Sequence, residues 1–382
     1  MYQIVNADVL EWAKSYEGPK FHALYCDPPY HLKSIVERFG GKDSKPAKEG
    51  EDGLFQRISR GFMGNTWDGG DIAFRPETWE LFKELLLPGA FGMAFSSTRT
   101  FHRMAVAIED AGFIIHPTIF LWINGQGMPK ATRVKGQEVF EGHRYGGQAL
   151  KPAVEPIVCF QKPYEGRPVD NIIATGAGVL NIDGSRLALE PDDEIRPLSA
   201  RESNRFFSGI TRKEGTPTLD EKGRWPSNLI LDEETSKLVD EQYGTEVSKY
   251  FYSVQQQLDE AEAGFYAPKA SPKERDAGLD TFELKVAGGM EARRDGSLDG
   301  HITMRKNIHP TCKPIELNRY LSGLLLPPQE YSPRRLLVPF SGVASEMIGA
   351  KLAGWDEVVG VEMDTENGYI PIAEARLKHW VG

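Results

Sequence analysis

Apolar and polar positions along the 382-residue chain set two regularly patterned ends around an irregular middle. Near the start, the short apolar run from His22 to Cys26 predicts a buried strand. Trp79 to Leu87 predicts a helix closed by Pro88-Gly89, with a strand over Ala90 to Phe95 behind it. Phe101, Ala105 and Ile108 fall on one face of a further helix, and Gly112 should end it at the C′ position, where a residue without a Cβ turns left-handed cheaply. A strand from Phe113 to Ile123 should follow. At the other end, Leu336 to Phe340 predicts a strand, Ala344 to Ala353 a helix stopped by Gly354, and Glu357 to Val361 another strand. Strands alternating with helices predict an α/β protein with a doubly wound, mostly parallel sheet. The stretch between, Asn124 to Arg305, is rich in Gly, Pro and charge and weak in periodicity, above all from Glu190 to Trp225. It reads as an inserted domain, which divides the chain into 1–123, 124–305 and 306–382.

Composition narrows the setting. Met1 to Lys20 carries Asp8 and Glu11 where a signal peptide needs an apolar run, and the run from Phe113 to Ile123 is short and broken by His116 and Pro117. The expectation is a cytoplasmic protein without a membrane partner. Cys26, Cys159 and Cys312 are odd in number and far apart, which favours separate thiols over a disulfide framework or a zinc site. No metal is expected. A net charge of -10 weighs against a nucleic-acid partner, because phosphate neutralisation supplies most non-specific affinity. Distribution matters more than the sum, however. Basic groupings occur at Lys130, Arg133 and Lys135, at Arg212 and Lys213, at Lys269, Lys273 and Arg275, at Arg293 and Arg294, and at Arg305 and Lys306. Each also reads as a solvated face.

The first chemical motif is Asp27-Pro28-Pro29-Tyr30, directly after the predicted strand His22 to Cys26 and so at its carboxyl end, where open α/β sheets bind ligands. An amino group on an aromatic base has its lone pair delocalised into the ring and is a poor nucleophile. Acceptors aimed at its two hydrogens return that lone pair. Asp27 can supply a carboxylate acceptor, and the prolines stiffen the turn so that the Pro28 carbonyl can serve as a second. Tyr30 offers a π-face on which an extruded base could stack, worth roughly 1–3 kcal/mol. The same four residues also suit a plain turn that ends a strand.

The second motif runs from Leu336 through Pro339-Phe340-Ser341-Gly342-Val343-Ala344 to Ser345-Glu346, a strand, a small-residue turn and a helix start. Such a turn lets a cofactor approach the backbone and the helix N-terminus. Glu362 closes the next strand about 20 residues on, where a carboxylate commonly binds ribose hydroxyls. A generic nucleotide-binding fold would carry the same pattern. Other chemistry finds little support: none of the three cysteines sits in the Pro-Cys setting of a cytosine-C5 enzyme, no Walker loop is present, and Gly176-Ala177-Gly178 reads as a turn before Val179-Leu180.

Taken together, these motifs resemble the β-class DNA amino-methyltransferases, in which the catalytic motif precedes the cofactor motif. Trp67-Asp68, Lys151-Pro152-Ala153, Gly223-Arg224-Trp225-Pro226, Lys273-Glu274-Arg275 and Asn307-Ile308-His309-Pro310-Thr311-Cys312-Lys313-Pro314 add to the resemblance, which covers most of the chain and is weakest at 187–222 and 247–262. It implies a circularly permuted Rossmann-like sheet in which the strand carrying Glu362 lies beside the strand near Ile4 and Val5, with the termini as neighbours. It implies S-adenosylmethionine as cofactor, held by Asp8, Asp27, His309, Thr311, Lys313, Phe340, Ser341, Gly342 and Glu362, with Thr311 and Lys313 on its carboxylate and Asp8 near its adenine. It implies double-stranded DNA as partner, read by the 124–305 insertion, and leaves a homodimer open. Asp27 tilts the resemblance toward adenine N6, with cytosine N4 as the alternative. Local readings stand beside these: Asp8 as the N-cap of a helix containing Leu10 and Trp12, and Thr311 as a helix cap with Pro314 in the first turn. Two positions depart from the family pattern, Val338 where it writes an acid and Ala344 where it writes a second glycine. A weakened, DNA-binding homologue would carry such changes, and the loss of the glycine matters if residue 344 needs a positive φ.

Overall fold

The structure is a computed structural model and describes residues 1–29, 71–125, 129–189, 193, 220–244, 247–254, 270–286, 304–309, 311–363 and 368–382. Strand β1 (Tyr2–Asn6), helix α1 (Val9–Ser15) and β2 (Phe21–Cys26) open the chain, and α2 (Pro76–Leu85), β3 (Leu86–Phe95), α3 (Phe101–Asp110), β4 (Ile114–Ile115) and β5 (Phe120–Ile123) follow. A hairpin of β6 (Lys130–Arg133) and β7 (Arg144–Gln148) leads to β8 (Val154–Gln161), α4 (Pro168–Thr175), β9 (Leu229–Asp232), α5 (Glu233–Tyr243) and β10 (Tyr252–Val254). The last part holds α6 (Pro272–Asp276), β11 (Lys285–Val286), β12 (Met304–Arg305), α7 (Ile315–Leu324), β13 (Arg335–Pro339), α8 (Ser345–Ala353), β14 (Glu357–Glu362) and α9 (Tyr369–Val381).

One large sheet has the order β1-β14-β13-β2-β3-β8-β5-β9-β10, with β4 also paired to β8. Pairing along that order is parallel except on either side of β8, which runs antiparallel to β3 and β5. The α/β class and mostly parallel sheet are those the alternating pattern predicts. The strand carrying Glu362 does lie beside the strand near Ile4 and Val5: Ile4 lies opposite Gly360 and Val5 opposite Val361, and the amino group of Met1 donates to the Asp356 carbonyl at 2.6 Å. Tyr2 and Val381 pack against the same core cluster, and helix α9, the last of the chain, lies against β1, the first strand.

Both faces of the sheet are covered. Alternate residues of β2 point to opposite cores, Ala23 and Tyr25 toward α7, α8 and α9, Leu24 and Cys26 toward α1, α2 and α3. All five residues of β13 are buried, and after Arg335 the run Leu336 to Pro339 is continuously apolar, as expected of a strand with helices on each side. No helix of the described residues is long and apolar enough to cross a membrane.

Three local expectations change. Pro88-Gly89 lies inside β3 instead of before it, and Gly89 (φ +79°) forms the irregularity at which the register jumps from Phe21 opposite Leu86 to Ala23 opposite Phe91. The strand expected from Phe113 to Ile123 is two short strands, because Pro117 has no N–H to give to the ladder; both pieces nonetheless pair with β8. Helix α3 ends as the sequence indicates, with Gly112 at φ +82°, but its buried face is Met104, Ala107 and Ile108. The stretch 124–305, read from sequence as an insertion, supplies β8, β9 and β10 to the main sheet. Among its described residues, the hairpin β6–β7 stands off that sheet, as does β11, which pairs with β12.

Candidate active site

The chain leaves β13 for β14 and β1 on one side, whereas β2 leads to β3 on the other, so β13 and β2 flank the switch point where open α/β sheets form their ligand crevice. Two loops leave carboxyl ends there. Asp27-Pro28-Pro29 follows β2, and residues 340–344 follow β13. Tyr30, Trp67-Asp68 and Pro310 lie outside the described residues.

In the second loop, Phe340 (φ +59°), Gly342 (φ +48°) and Ala344 (φ +64°) are left-handed, alternating with two residues that are not. Alternation of hand curls the backbone so that N–H groups gather on a concave side. The Gly342 N–H donates to the Glu362 carboxylate at 2.7 Å, and the Ser341 N–H to the Val361 carbonyl at 3.0 Å. Gly342 is required twice over, since a Cβ there would stand 2.9 Å from His309 Nε2. Residue 344 does need a positive φ. An L-residue in that conformation costs roughly 1–2 kcal/mol, so Ala344 puts strain where a glycine would have none. Val338, at the other departure, is fully buried in the core beneath the loop.

Lys313 forms an ion pair with Asp27. Its side chain is only 2% exposed, Glu155 on β8 lies 3.9 Å from the ammonium, and the Phe95 ring centroid lies 4.7 Å away. A fourth charged group, Glu346 in the first turn of α8, shares this pocket: burial pushes its carboxyl up to about 7, the Asp27 charge adds to the push, and Lys313 and Arg376 pull back. Sequence reading missed Glu155 and gave Glu346 no role. An acid in an otherwise apolar first turn, directly after the glycine turn, was the available signal for Glu346.

His309 is half-buried with its ring against Tyr369, the centroids 4.7 Å apart. Burial, and then the charges of Arg275, Lys313 and Arg376, push its imidazole down to about 3, so it is neutral at physiological pH. The motif Lys273-Glu274-Arg275 acts as a brace for this segment. Arg275 donates to the His309 carbonyl, Asn307 Nδ2 donates to the Arg275 carbonyl at 3.0 Å, and Glu274 accepts from the Ile315 N–H. Glu274 therefore satisfies the start of α7, whose N-cap is Pro314; Thr311, half-buried, does not cap that helix. Cys312 Sγ lies 3.1 Å from Ser345 Oγ, and Arg376 Nη1 donates to the Val343 carbonyl and to Ser345 Oγ at 2.5 and 3.0 Å, which fixes the loop from below.

Asp8 accepts from the Leu10 and Glu11 N–H groups at 2.9 and 3.0 Å, so its capping role is built. It also sits at the carboxyl end of β1 beside Glu362, whose carbonyl accepts from the Ala7 N–H at 3.1 Å. The structure thus gathers Asp27, Lys313 and His309 beside loop 340–344, with Glu362 and Asp8 at the adjoining strand ends. Among the described residues, no group of three or more His, Cys, Asp or Glu side chains could hold a metal ion.

No family model matches the chain. Among curated proteins it is similar to the type II methyltransferase M.HindIII of Haemophilus influenzae, with 26% identity over 205 residues, covering 47% of this chain and 64% of that protein. The match therefore spans under two thirds of that relative's length. Among solved structures it is similar to the PvuII DNA methyltransferase (cytosine-N4-specific), at 13% identity, 98% and 86% coverage and a TM-score of 0.45. It is also similar to M1.HpyAVI in complex with SAM, at 14% identity, 99% coverage of both chains and a TM-score of 0.40. A putative DNA modification methylase from Thermus thermophilus shows 12% identity, 100% and 97% coverage and a TM-score of 0.40.

Proposed function

We propose that this chain is a DNA methyltransferase that moves a methyl group from S-adenosylmethionine to the exocyclic amino group of an extruded base, N6 of adenine. The observation that carries this reading is the position of Asp27: it ends β2 directly across the switch point from the loop 340–344, at the place where a nucleotide-like cofactor and a second ligand would meet. The likeness to the Haemophilus influenzae methyltransferase supports it.

The residues present fit the cofactor. The loop 340–344, with its residues of alternating hand, turns backbone N–H groups to one side, and Glu362 at the end of β14 offers a carboxylate for ribose hydroxyls. Lys313 and Thr311 would hold the carboxylate of the methionine part, with Ser341, Phe340 and His309 around it and Asp8 toward the adenine. Bound there, S-adenosylmethionine supplies an electrophilic methyl group on a sulfonium. Asp27 and the Pro28 carbonyl would accept from the two amino hydrogens of the target base, which localises the nitrogen lone pair, while Tyr30 would stack on the base. Lys313 pairs with one carboxylate oxygen of Asp27, so the other could accept from the base, and a cofactor carboxylate would give the ammonium a further anion. The segments of 124–305 that stand off the sheet would read the DNA sequence.

Expression in a host without DNA methylation, followed by sequencing that separates methyladenine from methylcytosine, tests the reading. Methyladenine at one sequence context is the expected outcome. Methylcytosine at N4 corrects the base, and duplex binding with no methyl transfer points to the weakened homologue.

A further inference from the structure

We propose that the hairpin β6–β7 is a phosphate-binding arm that holds duplex DNA over the site; this rests on the reading of DNA as substrate and assigns a surface to it. The hairpin grows from the site itself. β5 and β8 are antiparallel neighbours, Ile123 lies opposite Val154, and the Asn124 N–H donates to the Ala153 carbonyl at 2.9 Å. One residue further into the sheet, Glu155 stands 3.9 Å from Lys313. Whatever rests on the hairpin is therefore carried above the same edge of the sheet as Asp27.

Its composition suits a polyanion. In a chain of net charge -10, residues 129–151 hold Lys130, Arg133, Lys135, Arg144 and Lys151 against Glu138 and Glu141. Within the hairpin Arg133 lies directly opposite Arg144. Like charges facing each other across a strand pair are destabilising, and none of the ion pairs among the described residues involves either arginine. An anion between or beside them removes that repulsion. Nor do the described residues cover the pair of strands: between 129 and 146 every described side chain is exposed except Val134, and Tyr145 (58% exposed) stands opposite Thr132. A two-stranded hairpin bare on both faces is marginal in water. Two cations paired on one exposed face of the hairpin, with Tyr145 on the other face, present the positive charge that a phosphate backbone neutralises.

The test is fluorescence anisotropy of a labelled, unmethylated duplex oligonucleotide with the full chain over a range of salt, beside calorimetry with S-adenosylmethionine. The triple variant Arg133→Gln, Lys135→Gln, Arg144→Gln should bind duplex about tenfold or more weakly near 0.1 M salt, with the slope of log affinity against log salt reduced by about one per removed cation. Its cofactor affinity should match the parent's. Glu138→Gln with Glu141→Gln should act in the opposite direction and tighten binding, which decides the matter even if the triple variant fails to fold. Variants that bind duplex with the parent's affinity and salt slope overturn the arm and leave the methyltransferase reading standing. A parent that binds the cofactor but no duplex at any salt overturns both.

Discussion

The backbone N–H of Gly342 donates to the carboxylate of Glu362 across 2.7 Å, tying the loop after β13 to the end of β14. Both partners are therefore needed, for different reasons. Gly342→Ala forces an L-residue to φ +48° and sets a Cβ 2.9 Å from His309 Nε2, so chemical denaturation should show a loss of about 1–3 kcal/mol. Glu362→Ala should leave a folded protein whose cofactor affinity, read by calorimetry, falls roughly tenfold to a hundredfold, the worth of lost charge-assisted hydrogen bonds. Unchanged affinity in that variant removes Glu362 from the site.

Ala344 allows a sharper comparison within one helix. At φ +64° it is a strained N-cap, whereas Ala350 is an equally buried residue inside α8. Ala350→Gly should cost about 1–2 kcal/mol through helix propensity and lost burial. Ala344→Gly loses the same methyl group but regains roughly 1–2 kcal/mol of backbone strain, so its stability should stay within about 1 kcal/mol of the parent. Equal losses at the two positions in parallel urea titrations would mean that residue 344 is not left-handed in solution.

These positions also show what the sequence could reveal. The run Leu336 to Phe340, the turn and the helix to Gly354 were readable within a residue or so, because a strand buried on both faces is continuously apolar and glycines punctuate it. Asp27 was readable because it follows such a strand. β8 was not: it lies in a stretch rich in Gly, Pro and charge and contains Pro156, which usually argues against a central strand. Long-range pairings were equally silent. Lys313 reaches Asp27 across 286 residues and Glu274 caps α7 across 41, and no local period or propensity encodes either contact. The motifs containing them stood out, but their roles as ion-pair partner and brace needed the fold.

Glu346 predicts a pH dependence. Burial raises its carboxyl to about 7 in the folded chain, whereas in the unfolded chain it titrates near the ordinary value of about 4.3. Between those values the folded state holds the proton more tightly than the unfolded state, so this group's contribution to stability falls as pH rises from about 4.3 to about 7. Glu346→Gln keeps the shape and removes the titration. Relative to the parent, the variant should therefore gain stability in denaturation curves as pH goes from 5 to 8, with Asp27, Lys313 and Arg376 still present. A parent-to-variant difference that is flat with pH would place the Glu346 carboxyl in water.

Asp27 and Lys313 are coupled in stability and separable in function. Removing one member of a buried ion pair costs up to about 3–5 kcal/mol, less for Asp27→Asn because Glu155 remains 3.9 Å from Lys313, whereas replacing both removes the mismatch between the two. Asp27→Asn and Lys313→Met should each destabilise, and the double variant should be destabilised by less than the sum of the two. Function should divide differently. Asp27→Asn should nearly abolish methyl transfer in single-turnover assays while duplex binding stays near the parent's, since phosphate contacts supply most of that affinity. Lys313→Met should instead weaken cofactor binding while leaving Asp27 available to the base. An Asp27→Asn protein that methylates DNA at the parental rate would remove Asp27 from the chemistry and leave the pair a purely structural clasp.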